Sequence, residues 1–288
     1  MTMPGIRPAS LLRGGWRALP AIFPQTILNW REERFYARHG EVELHIAPFL
    51  CLPDKDAIDV GANDGCYIHV LKRYARRVYA FEPLPWLAQR LTRKFRHDIG
   101  RGKVAVEGVA LSNASSTKTL RVPIVDGVLI EGCSSMASAV AAKHPINKEV
   151  RVRTDALDHF NFAEVGFVKI DVEGHEEAVL EGGRQTILRC QPRLQVEIEE
   201  SVAPGAIARI ADWFRALGYT GYFIYRREVL PIEKFEPAVM QNPANYPDLT
   251  AGLDKRERFG SYIYNFLFFP AGESPATLAL IGERVTRL

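Results

Sequence analysis

The stretch IDVGANDG sets Asp59 at the end of an apolar run, then frames Ala62, Asn63 and Asp64 between Gly61 and Gly65. An ordinary surface turn needs one glycine or an Asn-Gly pair. Two glycines after an apolar run let a ligand approach the main chain without meeting a Cβ. N–H groups at the start of the following helix can then hold a polar or anionic group. A dinucleotide site carries GxGxxG, whereas the pattern here is D-x-G-x-x-x-G. An aspartate at the strand end repels a pyrophosphate. It suits a ligand with an ammonium and a sulfonium, such as S-adenosyl-L-methionine, whose carboxylate is left for the N–H groups. Glu82 closes the next apolar run, 17 residues beyond Gly65. An acidic side chain there can accept hydrogen bonds from both hydroxyls of a ribose. NAD enzymes use the same device, so Glu82 alone points to adenosine rather than to one cofactor.

A second concentration is FVKIDVEGHEEAVLEGG, residues 167–183. Glu176 and Glu177 fit a helix N-terminus, where negative charge is favoured. Asp171 and Glu173 come before that helix, at the crevice. Asp171, Glu173 and His175 are the candidates for a general base. Neighbouring carboxylates are expected to hold His175 charged, which favours Asp171 or Glu173 as base or acceptor anchor and His175 as a substrate contact. Glu197 is a further acceptor-side candidate, with a salt bridge as an equally good account. Asp171, Glu173 and Glu197 are oxygen donors of the kind hard cations take, but no metal is expected. HEEAV is not HExxH, because the second histidine is missing.

These residues need a scaffold, and the chain alternates strand and helix patterns from Asp56 onward. AIDV, RVYAF, VAVEGVAL, FVKID and LQVEIEE read as strands of a doubly wound sheet, with YTGYFIYR and YIYNFLFF completing it. One helix is expected over Glu176–Leu188. Residues 1–50 read as an accessory arm, a helix over Pro24–His39 stopped by Gly40 and then a short strand, EVELHI. Residues 51–272 form the main domain, with an inserted hairpin at about 113–153 and a lid at about 230–260, and 273–288 a tail. Tyr219, Tyr222, Phe223 and Tyr225, with Phe259, Tyr262, Tyr264 and Phe266, are core residues or in part the wall of an acceptor pocket.

The charge balance, Lys+Arg 37 against Asp+Glu 34, argues against a dedicated nucleic-acid binder. The four cysteines form no CxxC pair, which points to free thiols in a reducing compartment. No apolar run reaches the roughly 20 residues that cross a bilayer, and the arm lacks the pattern of a cleaved leader. A cytoplasmic protein without a membrane span is expected. Trp16, Phe23 and Trp30 in the arm suggest a surface for homo-oligomer formation.

AIDVGANDG, YAFEP, VALSN, FVKIDVEGHE…VLEGG and LQVEIEE together resemble the FkbM family of S-adenosylmethionine-dependent methyltransferases, over roughly residues 55–200. The resemblance implies a class I methyltransferase (Rossmann-like) α/β fold, with a seven-stranded, mostly parallel sheet whose last strand is antiparallel. It implies cofactor contacts at Asp59, Gly61, Ala62, Asn63, Gly65 and Glu82, with Ala110, Leu111 and Ser112 near the adenine. Ser134 and Ser135, in the inserted loop, are placed near cofactor or acceptor, although a flexible polar loop explains them as well. The expected activity is O-methylation of a hydroxyl on a saccharide or glycosylated small molecule. A polyketide, peptide or lipid-linked acceptor is the alternative, and a cofactor-binding scaffold is the non-enzymatic reading.

Overall fold

Helix α1 (Gln25–His39) ends before Gly40, as the sequence predicts, and α2 (Val42–Leu50) follows it at once. The computed structural model describes residues 25–125, 127–136, 146–246, 259–273 and 275–288. EVELHI is therefore helical and not the expected strand. Its polar members are enclosed along with its apolar ones: Glu43 and His45 are buried beside Val42, Leu44 and Ile46. A segment enclosed on every side does best to satisfy its own main chain, which a helix does and an isolated strand does not. The enclosure pushes the Glu43 carboxyl up to about 8.

The alternation then runs β1 (Asp56–Val60), α3 (Cys66–Leu71), β2 (Val78–Phe81), α4 (Pro85–Lys94), α5 (Arg96–Gly100) and β3 (Val104–Glu107). VAVEGVAL is divided. Its first half is β3, and Ala110–Leu111 turns away as β4 into a second sheet with β5 (Ser116–Val125), β6 (Val128–Leu129) and β7 (Asn147–Asp155). The expected hairpin is the antiparallel β5–β7 pair, extended by β4 and β6 to order β4-β7-β5-β6. The main sheet resumes with β8 (Val165–Ile170), α6 (Glu176–Gly182), α7 (Arg184–Cys190), β9 (Arg193–Glu197), α8 (Ala206–Ala216) and β10 (Tyr219–Tyr225). The single helix expected after Asp171 is two, meeting at Gly183. β11 (Glu228–Pro231), α9 (Pro237–Met240), β12 (Asn265–Pro270) and α10 (Pro275–Arg287) complete the chain. The expected tail is thus a helix, with Ile281 and Val285 buried. Within the expected lid, residues up to 246 carry β11, α9 and two short 3-10 turns; residues 247–258 lie outside the described residues.

The main sheet has eight strands in the order β11-β10-β12-β9-β8-β1-β2-β3. β3, β2, β1, β8 and β9 run parallel, and β12 enters antiparallel between β9 and β10. The strand beyond the expected seven is β11, which folds back on β10 as a hairpin and caps that edge. Among the described residues no helix is long and apolar enough to cross a membrane.

The two faces of this sheet differ. Ile58, Val60, Val168, Ile170, Val196, Phe266 and Phe268 pack on one face with α8, where Phe214 stacks on Phe268 at 4.0 Å between ring centres. Ala57, Phe167 and Leu267 pack on the other with residues of α2, α3 and α10. The register sets Asp59 beside Lys169, and Lys169 beside Gln195. Alternation turns all three toward this second face, near the carboxyl ends of the parallel strands. Strands covered on both sides normally read as continuous apolar runs, so buried polar side chains at that level need a reason.

Candidate active site

The loop after β1 is built from left-handed backbone. Gly61, Asn63 and Gly65 have φ of 81°, 46° and 81°. The N–H groups of Gly61 and Ala62 both donate to the Phe81 carbonyl, at 3.0 and 3.1 Å, which ties the loop to the end of β2. A Cβ on Gly61 would lie 1.9 Å from the Asp171 carbonyl oxygen, and one on Gly65 2.7 Å from the Phe95 ring. The atoms that demand glycine here belong to the protein itself, not only to a ligand. They bring the first motif onto the second.

Glu82 joins the same loop. Its Oε2 accepts from the Asn63 N–H at 2.8 Å and its Oε1 from the Leu84 N–H at 2.9 Å. The side chain is buried, and burial pushes it up to about 7 despite those two donors. Asp64 faces outward to Arg90, at 2.7 Å. Arg90 also reaches Glu131 at 3.4 Å, and Trp86 Nε1 donates to Glu131 at 2.6 Å. The inserted sheet is thereby strapped to α4 beside the loop.

Ala110, Leu111 and Ser112 are buried at β4 and its end. Ser112 Oγ lies 2.9 Å from His175 Nε2 and accepts from Lys118 Nζ at 3.1 Å. His175 is pushed down to about 4 by burial and then by Lys118. It is therefore neutral, contrary to the charged state expected from its sequence neighbours. Lys118, the charged group that adds to the effect of burial, comes from β5 of the inserted sheet. Ser134 Oγ donates to the Glu131 carbonyl at 2.7 Å, and Ser135, buried, donates to the Glu173 carbonyl. Both serines thus hold the inserted loop, and Ser135 fastens it to the left-handed Glu173, whose φ is 52°. Glu176 sits in the first turn of α6, as expected, and its Oε1 accepts from the Gly174 N–H at 2.8 Å. Glu177 pairs with Arg209 at 2.7 Å.

Asp171, Glu173 and Glu197 come together, each half-buried, with carboxylate oxygens within 4.8 Å of one another. Burial, then Asp171 and Glu173, push Glu197 well above the usual carboxylate range. Oxygens at that spacing could take a cation. The cation that the protein itself supplies is Lys169, whose Nζ donates to Asp171 Oδ2 at 2.8 Å. Tyrosines flank these acids. Tyr262 donates to Glu199 at 3.4 Å and packs edge-on against Tyr246 at 4.9 Å between ring centres. Tyr264 donates to Glu41 at 3.4 Å.

Several of these groups escape sequence reasoning. Lys169 lies inside the quoted KIDVEG motif, yet nothing in a linear reading gives it a partner. Gln195, fully buried, donates to Tyr67 at 2.7 Å and to Asn265 at 2.9 Å, and Tyr67 donates to Glu41 at 3.5 Å. A signal exists for the lysine, which interrupts the otherwise apolar VGFVKI strand, and a weaker one for Gln195, which separates Leu194 from Val196.

The profile described as the methyltransferase FkbM domain matches residues 59–220, more than half of the chain. The chain belongs to the FkbM methyltransferase family. Its doubly wound sheet is the class I methyltransferase fold. A crystal structure of methyltransferase FkbM from Methylobacillus flagellatus is similar at 16% identity and a TM-score of 0.46, over 75% of this chain and 44% of that one. This FkbM-family chain thus spans less than half the length of that protein. An rRNA methylase from Streptococcus thermophilus aligns at 10% identity and a TM-score of 0.44, over 80% of this chain and 94% of that one. A precorrin-6y C5,15-methyltransferase from Geobacter metallireducens aligns at 9% identity and 0.39, over 80% and 87% of the two chains. A comparison with curated proteins finds no match.

Proposed function

We propose that this protein is an S-adenosylmethionine-dependent O-methyltransferase, acting on a hydroxyl of a saccharide or glycosylated small molecule. The observation that carries the reading is Asp59. It is 0 % exposed, and neither carboxylate oxygen has a hydrogen-bond partner. A buried carboxylate left in that state is costly. A ligand ammonium beside it would remove the deficit. Glu82 keeps lone pairs on both oxygens after its two backbone bonds, enough to accept from a ribose diol. Gly61, Ala62, Asn63 and Gly65 frame the loop between these two acids, and Ala110, Leu111 and Ser112 are assigned to the adenine side.

When bound, the cofactor supplies a methyl group already activated on a sulfonium. The remaining work is alignment and removal of the acceptor proton. Asp171, with the Lys169 ammonium as counter-ion, is the acid set to take that proton. Glu197, pushed toward its neutral form, can donate a hydrogen bond to an acceptor oxygen. Glu173 is assigned to acceptor contact, and His175, turned to Ser112, to holding that turn rather than to the acceptor.

Asp171, Glu173, Glu197 and Glu199 with their tyrosines favour a neutral, hydroxyl-rich acceptor. The same acids repel phosphates, which argues against nucleic acid. Self-association through the arm, where Trp30 is 56 % exposed, belongs to the same proposal. The decisive experiment is transfer of tritiated methyl across neutral glycans, glycosylated polyketides and short RNAs. Labelled glycan or glycoside supports the acceptor assignment, and label in RNA alone overturns it.

A further inference from the structure

Lys169 is the charged residue in the VGFVKI strand and is 4 % exposed. Its Nζ lies 2.8 Å from Asp171 Oδ2, 4.0 Å from Asp59 Oδ1 and 4.6 Å from the centre of the Tyr67 ring. A buried ammonium persists only when it is well paired. Burial works against this one, but Asp171 and then Asp59 outweigh it and hold it charged. Asp59 gains less from the arrangement. At 4.0 Å Lys169 is too far for a hydrogen bond, and it acts on Asp59 through charge alone.

We propose that Lys169 is a positioning residue for the donor site: its ammonium, shared between Asp59 and Asp171, keeps Asp59 a carboxylate that can receive the donor's own ammonium. This rests on the reading of the donor as S-adenosylmethionine. The titratable groups around the pair come from four elements. Cys66 and Tyr67 face it from α3, Asp171 from beyond β8, Glu197 from β9 and Glu82 from the end of β2. Cys66 is pushed up to about 12 by burial and is neutral. The rest are acids or a phenol, so Lys169 is the cation of the set. Burial pushes Asp59 up to about 6 with Lys169 present. Without Lys169 it would rise further, and binding a ligand ammonium near neutral pH would have to expel a proton first.

The consequence is a proton count, which needs no acceptor. S-adenosylhomocysteine carries the same ammonium, and its binding to the full chain can be followed by calorimetry from pH 6 to 9 in buffers of different ionisation enthalpy. For the wild type, proton release from Asp59 on binding is expected to fade as pH rises through about 6. In Lys169→Met that fade moves above pH 7, affinity at pH 7 falls by about tenfold or more, and the deficit closes by pH 9. Lys169→Arg restores the wild-type profile. A merely structural role would change affinity without moving the proton release. Asp59→Asn should remove the step near pH 6 from the otherwise native protein, which decides the matter even if Lys169→Met does not fold. Unchanged proton release in a folded Lys169→Met, or release in Asp59→Asn equal to that of the wild type and not merely the part owed to Glu82, overturns the proposal and leaves the donor assignment standing. No binding of S-adenosylhomocysteine to the wild type at any pH overturns the donor assignment, and this inference with it.

Discussion

The same strands present two unlike faces. Toward α8, β1 offers Ile58 and Val60, β8 offers Val168 and Ile170, and β12 offers Phe266 and Phe268, all within one apolar cluster. Toward α2 and α3 the same strands offer Asp59, Lys169 and Asn265, with Gln195 between them on β9, all buried. Apolar packing is forgiving of detail, because dispersion is non-directional and sums over many contacts. A buried polar belt is not, since each member must find a partner or remain a deficit. The first face holds the sheet together. The second stores unsatisfied capacity at the level where the first and second motifs meet.

If that division is right, substitutions on the two faces should fail differently. The largest effect is expected from Phe266→Ala, which empties a fully buried site on the apolar face and should destabilise the fold by about 3–5 kcal/mol. Urea unfolding measures it, and affinity of the folded protein for S-adenosylhomocysteine should not change. A parallel loss of affinity would mean that the faces are not separable. Asp59→Asn should do the reverse. It should weaken S-adenosylhomocysteine binding by about tenfold, ~1.4 kcal/mol, with a melting temperature no lower than that of the wild type. A clear drop in melting temperature would show that Asp59 serves the fold.

The next effect is on pH dependence. Glu82 and Glu176 are pushed up to about 7, and Glu43 to about 8, from an ordinary 4.5, each chiefly by burial. A raised carboxyl holds its proton better folded than unfolded. The stability it contributes is therefore complete below the unfolded value and lost as pH rises to the folded one. His175, lowered from 6.5 to about 4, opposes this only below pH 6.5, where the unfolded imidazole binds a proton that the folded one refuses. Above pH 6.5 the ligand-free protein should thus lose stability through Glu82 and Glu176 up to about pH 7 and through Glu43 up to about pH 8, each by at most about 1.4 kcal/mol per pH unit. Thermal melts across that window measure it, and Glu176→Gln should flatten the slope. A melting temperature that rises with pH there would contradict the burial of these acids.

The smallest effect belongs to α1, the outer layer over the polar face. It has no fully buried residue and is held by polar contacts such as Arg73–Glu33, 3.1 Å apart. Glu33→Gln should shift stability by less than ~1 kcal/mol, as exposed pairs do. A larger shift in urea unfolding would make the arm part of the core.

The loop and acid assigned above to the donor are legible in the chain. IDVGANDG and Glu82 are near in sequence and are joined by short strand-to-helix connections, so local pattern was enough to pair them. The sequence marks Asp171, Glu173 and Glu197 as candidates, and the fold sets them within reach of one another. His175 was misjudged because its sequence neighbours are acids while its spatial neighbours are Ser112 and Lys118. EVELHI was misjudged because alternation implies one exposed face, and this segment has none.

By itself the sequence determined the strand and helix alternation from Asp56 onward, the glycine-framed loop after β1 and the acids at the strand ends. These follow from backbone preference and from the period of apolar residues, which are local. Only the tertiary structure decided which cation Asp59 and Asp171 share, that His175 is neutral, and that the inserted sheet is strapped to α4 through Glu131. Charge state and pairing depend on burial and on residues from distant strands, and no linear spacing encodes either.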